Sequence, residues 1–226
     1  MKLGVLFSGG KDSYYSLYLA SKHYEIACLI SIISKNKESY MFHVPNIDLV
    51  DKQAEALGIP LIKVETEGKK EVELKDLNLA IKKAIKKYSI TGIVTGALAS
   101  TYQATRVQKI CNELNLWCFN PLWQMDQVTL LKDLIKNNFK VIISGVFAYP
   151  FTKDWLGKEI DLEVINKLVS LSKKYQINPA GEGGEIETFV IDSPLNKFRI
   201  KIKDFSKHYE NYSGMFNINS LELKEK

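Results

Sequence analysis

The stretch Lys2-Leu3-Gly4-Val5-Leu6-Phe7-Ser8-Gly9-Gly10-Lys11-Asp12-Ser13 decides how this chain is read. Its first half is an apolar run of strand length. Its second half is a glycine turn that opens onto tyrosine and leucine at helical spacing through Tyr24. At a junction of strand, glycine turn and helix, the unpaired N–H groups and the positive end of the helix dipole favour an anion. The glycines let backbone approach a phosphate and Lys11 can neutralise one, while Ser8 and Ser13 can donate hydroxyls. Asp12 can cap the helix or help hold a magnesium ion. The G-x-x-x-x-G-K-[ST] spacing of a Walker loop is absent. A plain turn with an Asp/Ser cap accounts for the glycines and one cap, but not for the Lys11-Asp12-Ser13 continuation.

Working outward from this junction, Ala27 to Ile33 is a second β-branched run, and Val50 to Leu57 reads as a helix closed by Gly58 and Pro60. Leu61 to Val64 is a third strand. Leu74, Leu77, Ile81, Ala84, Ile85 and Tyr88 recur at three- and four-residue steps between lysines, which is an amphipathic helix. Ile90 to Thr95, a helix from about Ser100 to Leu114, and a short strand at Trp117 to Phe119 complete the series. Short strands separated by helices need crossover connections, so the expected fold is α/β, an open, mostly parallel twisted sheet with flanking helices. Ligands in such sheets bind beyond the carboxyl ends of the strands, where the glycine turn lies.

After Pro121 the pattern changes. Helix signals at Val128 to Ile135 and Leu162 to Tyr175 flank a strand at Val141 to Ser144, and the remainder is β-rich. Residues 187–191 and 198–202, joined by Asp192 to Lys197, read as a hairpin, and Leu221 to Lys226 as a frayed tail. This divides the chain into residues 1–122 and a smaller α+β domain, 123–226.

Composition sets outer limits. With 226 residues, 46% hydrophobic and 25% charged, the chain is of ordinary globular composition rather than disordered or collagenous. A chain of this length buries about 70% of its extended surface and needs no disulfide or metal staple. Cys28, Cys111 and Cys118 lack C-x-x-C spacing, which fits neither a disulfide framework nor a zinc site and points to a reducing, cytoplasmic location. Cys111 and Cys118 read as core fillers, and Trp117, Trp123 and Trp155 as core or cleft walls. No apolar run approaches the roughly 20 residues that span a bilayer, so neither a membrane protein nor a secreted precursor is expected. The net charge is +5, yet of 31 basic residues only Arg106 and Arg199 are arginines. Dispersed lysine argues for a solvated surface over a nucleic-acid interface.

Two further groups carry chemistry. Gly181-Glu182-Gly183-Gly184-Glu185-Ile186-Glu187-Thr188 packs three glutamates and three glycines into eight residues before a strand. Carboxylates so crowded would repel a triphosphate unless they meet a cation, an ammonium group or magnesium. Glu185 and Glu187 share a face if the strand already starts there. Tyr102 and Arg106 are neighbours on one helix face, next to Gln103, so Arg106 can contact a phosphate or a carboxylate, or make a surface ion pair. His43, flanked by Met41 and Phe42, reads as a packed histidine or as a residue near a nucleotide.

The Ser8–Ser13 hexapeptide resembles the pyrophosphate-binding loop of the ATP pyrophosphatase (PP-loop) superfamily. Together with Glu38-Ser39-Tyr40-Met41-Phe42-His43, Gly96-Ala97, Ser100 to Val107, Pro121-Leu122-Trp123 and Gly181 to Thr188, the chain resembles the diphthine–ammonia ligase family. One departure is Asn178, where relatives often carry histidine. The resemblance implies an adenine nucleotide alpha hydrolase-like sheet with a C-terminal substrate domain. It implies ATP and Mg2+ as cofactors, translation elongation factor two carrying diphthine as protein substrate, and ammonia as nucleophile, with AMP and pyrophosphate released. It implies Ser8, Gly9, Gly10, Lys11, Asp12, Ser13, His43, Gly96, Tyr102, Gln103 and Arg106 at ATP, with Asp12 at the metal. Glu182, Gly183, Gly184, Glu185, Glu187 and Thr188 fall at substrate, and Lys11, Glu185 and Glu187 at the chemistry. A homo-oligomer is compatible with the sequence. The rival readings are a tRNA-modifying adenylating enzyme, which lacks here a reactive cysteine pair and an arginine-rich face, and a non-catalytic nucleotide-binding module, which leaves the glutamates without a purpose.

Overall fold

The computed structural model describes residues 1–34, 45–67 and 73–226, in two compact units, Met1–Trp123 and Gln124–Lys226. The first unit alternates β1 (Lys2–Leu6), α1 (Lys11–Ser21), β2 (Glu25–Ser34), α2 (Val50–Leu57), β3 (Leu61–Thr66), α3 (Glu73–Tyr88), β4 (Gly92–Val94), α4 (Thr101–Glu113) and β5 (Trp117–Phe119). The five strands are all parallel, in the order β3-β2-β1-β4-β5. Because side chains alternate across a sheet, Cys28, Ile30 and Ile32 face Leu77, Ile81 and Ala84 of α3 and Val107 and Ile110 of α4. Leu3, Val5 and Leu29 point to the opposite face and are fully buried. Tyr14 of α1 is also fully buried, its ring 4.9 Å from that of Phe7.

The chain leaves β1 toward β2 on one side and returns to β4 on the other. The loops after β1 and β4 therefore diverge above a crevice at the strands' carboxyl ends, the place where such sheets bind ligands. The glycine turn of residues 8–10 lies there, as the sequence implies.

The second unit holds α5 (Gln127–Lys136), β6 (Lys140–Val146), α6 (Leu162–Tyr175), β7 (Ile186–Asp192), β8 (Phe198–Glu210) and β9 (Ser213–Glu225), with the strands in an antiparallel sheet ordered β7-β6-β9-β8. Asp126 and Asp161 cap α5 and α6 by accepting from the N–H groups of Thr129 and Val164.

Two expectations are corrected. The segments 187–191 and 198–202 do not form a hairpin: β7 pairs with β6, and β8 pairs with β9 across a turn at Asn211 and Tyr212. Asp192, with Arg199 Nε 3.0 Å and Lys226 Nζ 2.7 Å from its carboxylate, anchors the link after β7, where a turn brings the chain into β8 away from β7. Residues 221–225 are strand rather than tail, because Leu221 and Leu223 alternate with charged residues opposite Ile202 and Ile200. Of the two readings given for the tryptophans, core or cleft wall, core does not hold for Trp117 and Trp123, which are each 39% exposed. No helix among the described residues is long and apolar enough to cross a membrane.

Candidate active site

The turn after β1 is built by its own side chains. Ser13 Oγ donates to the carbonyl of Gly10 at 3.0 Å and accepts from Ser8 N at 3.3 Å, closing the loop on the first turn of α1. The N-cap is Gly10, with no side-chain cap, so Asp12 is not the helix cap. It stands instead in the first turn, where Lys11 Nζ meets its Oδ2 at 2.9 Å. Lys11 is only 3% exposed, and a buried ammonium needs an anion beside it.

Two glycines are demanded by contact. Gly9 has φ +79°, and a Cβ there would lie 1.9 Å from Gln53 Oε1. Gln53, itself buried on α2, donates from Nε2 to the Gly9 carbonyl at 2.9 Å. A Cβ on Gly96, in the loop after β4, would sit 3.0 Å from the backbone of Asp12 and Ser13. The two diverging loops thus touch at the start of α1. At the same sheet end, Asp12 Oδ1 and Asn120 Oδ1 are buried and have no hydrogen-bond partner among the described residues. Buried polar atoms of this kind ordinarily have a hydrogen-bond partner, which the described residues do not supply.

On α4, the Ser100 hydroxyl caps the helix by accepting from Gln103 N at 3.3 Å. The Arg106 guanidinium carbon lies 3.5 Å from the centroid of the Tyr102 ring, so the two side chains share a helix face as their spacing requires. His43 and the whole of Glu38 to His43 lie outside the described residues.

In the second unit the glycine–glutamate segment is a loop closed by Glu185. Its Oε1 accepts from Asn178 N and from Asn178 Nδ2, both at 2.8 Å, and its Oε2 accepts from Gly183 N at 2.8 Å. Gln127 completes the brace: its Nε2 donates to Asn178 Oδ1 at 3.1 Å, and its Oε1 accepts from Ala180 N at 2.9 Å. Since β7 begins at Ile186, Glu185 lies before the strand with its carboxylate turned into the loop, whereas Glu187 and Thr188 are in the strand, opposite Gly145 and Ile143. Glu182 and Gly184 lie on the same loop, Gly184 exposed at its tip.

Sequence reasoning missed Gln53, Asn120 and Gln127. Gln53 left a signal, a polar residue among Val50, Ala54 and Leu57 on the apolar face of α2. Among the described residues no group of three or more His, Cys, Asp and Glu side chains could hold a metal ion. The cysteines are free. Burial pushes the Cys28 thiol up to about 12. A hydrogen bond between Cys111 and Cys118 holds Cys111 above and Cys118 below the ordinary thiol value.

Residues 1–117 match the diphthamide synthase N-terminal domain, and residues 126–223 match the diphthamide synthase C-terminal domain. The chain belongs to the diphthamide synthase family. The diphthine–ammonia ligase of Schizosaccharomyces pombe is 34% identical over 221 residues, covering 90% of this chain and 36% of that protein. Those of Bos taurus and Homo sapiens are 36% and 35% identical over 220 residues, each match covering 88% of this chain and 82% of the relative. This diphthamide synthase family member thus spans about a third of the fission yeast protein's length and about four fifths of the bovine and human ones.

Proposed function

We propose that this chain is a diphthine–ammonia ligase, which uses ATP to convert the carboxylate of diphthine on translation elongation factor two to the amide of diphthamide. A carboxylate is a poor electrophile at neutral pH. Transfer of the adenylyl group of ATP to its oxygen gives an acyl-adenylate and pyrophosphate, and ammonia then displaces AMP. The observation that carries this reading is the phosphate loop at the crevice between β1 and β4, in a chain both of whose halves match the family.

In this reading Ser8 to Ser13 and Gly96 bind the triphosphate of ATP. Lys11 holds a phosphate oxygen in place of its present contact with Asp12 and stabilises charge as pyrophosphate leaves. Asp12, whose Oδ1 is buried without a partner among the described residues, fits a role as the protein's ligand to Mg2+. The ion, when bound, neutralises phosphate charge. Tyr102 and Gln103 flank the nucleotide, and Arg106, its guanidinium over the Tyr102 ring, grips a phosphate or the substrate carboxylate. The second unit is assigned to the protein substrate, with Glu182, Gly183, Gly184, Glu187 and Thr188 at the diphthine side chain. Glu185 shapes this loop by its three hydrogen bonds, and Glu187 orients ammonia or attracts the substrate's quaternary ammonium. No nucleophilic side chain is needed, because positioning and charge stabilisation suffice. The cytoplasm is the compartment assigned.

The test is the nucleotide product. Incubation with diphthine-bearing elongation factor two, ATP, magnesium and ammonium is expected to yield AMP and pyrophosphate. Accumulation of ADP and orthophosphate removes the assignment.

A further inference from the structure

The register of the C-terminal sheet gathers three chain segments at one end. Val146, the last residue of β6, pairs with Ile186 on one side and with Gly214 on the other. Residues 147–150 after β6, the glycine–glutamate loop before β7 and the β8–β9 turn at Asn211 and Tyr212 therefore emerge together. A hydrogen bond from Phe147 N to the Glu185 carbonyl at 2.9 Å ties the first two. One from the Tyr209 hydroxyl to the Phe151 carbonyl at 2.9 Å ties the first to the third.

At this end lies a cluster of tyrosines that core packing does not explain. Tyr149 is 54% exposed and Tyr212 is 46% exposed. The Tyr149 ring lies 5.1 Å from Tyr175 at the end of α6 and 5.0 Å from Tyr212, with interplanar angles of 86° in both cases. Tyr212 also has φ +62°, beside Asn211 at φ +48°, at a turn position that ordinarily favours glycine or asparagine. A bulky residue held there, with its ring half in solvent, is the kind of local cost that marks functional positions. The neighbouring Lys174 Nζ stands 5.0 Å from the Tyr175 centroid.

We propose that Tyr149, Tyr175 and Tyr212 form the binding site for the quaternary ammonium group of the substrate side chain. This rests on the reading of the chain as a ligase acting on diphthine, whose side chain carries a trimethylammonium. Such a cation has no N–H, so a carboxylate can attract it but cannot hold it by hydrogen bonds. The negative faces of aromatic rings set at right angles can hold it. The carboxylates of Glu182 and Glu187 on the neighbouring loop and strand add long-range attraction. The tyrosines thus supply the directional part of recognition that the glutamates cannot.

Two measurements on the full-length protein test this. In the first, ring resonances of the three tyrosines are followed by NMR during titration with tetramethylammonium chloride, with sodium chloride and the neutral, similarly shaped tert-butanol as controls. Shifts specific to tetramethylammonium, lost in Tyr149→Leu and Tyr212→Leu and largely kept in Tyr149→Phe, are expected. Equal shifts with the controls, or shifts unchanged in the leucine variants, overturn the site. In the second, KM for diphthine-bearing elongation factor two is expected to rise about tenfold in Tyr149→Leu and Tyr212→Leu with kcat little changed, and to recover in Tyr149→Phe. Amidation with parental KM in both leucine variants removes the site and leaves the ligase reading standing. Specific ring shifts in a protein that forms no diphthamide remove the ligase reading and leave the cation site standing.

Discussion

Gln53 Nε2 donates to the carbonyl oxygen of Gly9 at 2.9 Å, fastening the glycine loop after β1 to a helix 44 residues further along the chain. The contact fixes the loop before any ligand arrives, and it leaves no volume for a side chain at Gly9. Gly9→Ala forces a methyl group into the Gln53 amide in a backbone region that alanine rarely adopts. Its ATP affinity, read by calorimetry, should fall at least about tenfold, the effect of a ~1.4 kcal/mol loss. Gln53→Leu strands a buried carbonyl and should lower stability by about 1–3 kcal/mol in denaturant titration.

Lys11 and Asp12 separate phosphate chemistry from folding. Both stand in the first turn of α1 and pair with one another, so neither carries the apolar core. Lys11→Ala and Asp12→Ala should lose AMP formation while circular dichroism stays parental. Unchanged turnover in either variant would remove that residue from the phosphate site.

Arg106 tests geometry against charge. Its guanidinium carbon lies 3.5 Å from the Tyr102 ring centroid, and a lysine ammonium lacks the planar fork that a guanidinium brings to such a contact. At saturating ATP, Arg106→Lys should lower kcat/KM for the protein substrate nearly as far as Arg106→Ala. If lysine restores parental kinetics, Arg106 supplies charge alone.

The two glutamates at the substrate loop should fail in different ways. Glu185 accepts three N–H donors through its two oxygens, so in Glu185→Gln the new amide group faces a donor and the loop loosens. Glu187→Gln removes charge from a residue held in β7. Both variants should bind ATP with parental affinity and form amide slowly. Hydrogen exchange of residues 178–184 should rise in Glu185→Gln and stay parental in Glu187→Gln.

The thiols offer a check on the packing of the first unit. Burial holds Cys28 up to about 12, whereas the hydrogen bond from Cys111 holds half-buried Cys118 below the ordinary thiol value. A lowered value means more thiolate below pH 9, so iodoacetamide at pH 8 should label Cys118 well ahead of Cys28, with peptide mapping as the readout.

The parallel sheet was legible because its strands are short apolar runs and its helices carry strict periodicity. Leu77, Ile81 and Ala84 read as one face and pack as one face. The glycine turn between β1 and α1 was legible as a turn because glycines at a strand–helix junction interrupt both apolar patterns. The C-terminal sheet was less so. Nothing local in residues 187–202 distinguishes a hairpin from two strands that pair elsewhere, and lysine and glutamate hide the alternation of Leu221 and Leu223. The partners of the braces Gln53 and Gln127 were hidden for another reason, even though Gln53 stands out on the apolar face of α2. Each matters through a partner 44 or 51 residues away, and a lone glutamine in a helix carries no sign of that.

The proposed function stands on the transfer of nitrogen to a protein carboxylate. The most direct test is the mass spectrum of the diphthine-bearing peptide of elongation factor two, after reaction with this protein, ATP, magnesium and isotopically labelled ammonium. One labelled nitrogen per peptide, in place of one oxygen and matched by one AMP released, is the expected result. ATP turnover with the peptide mass unchanged would contradict it.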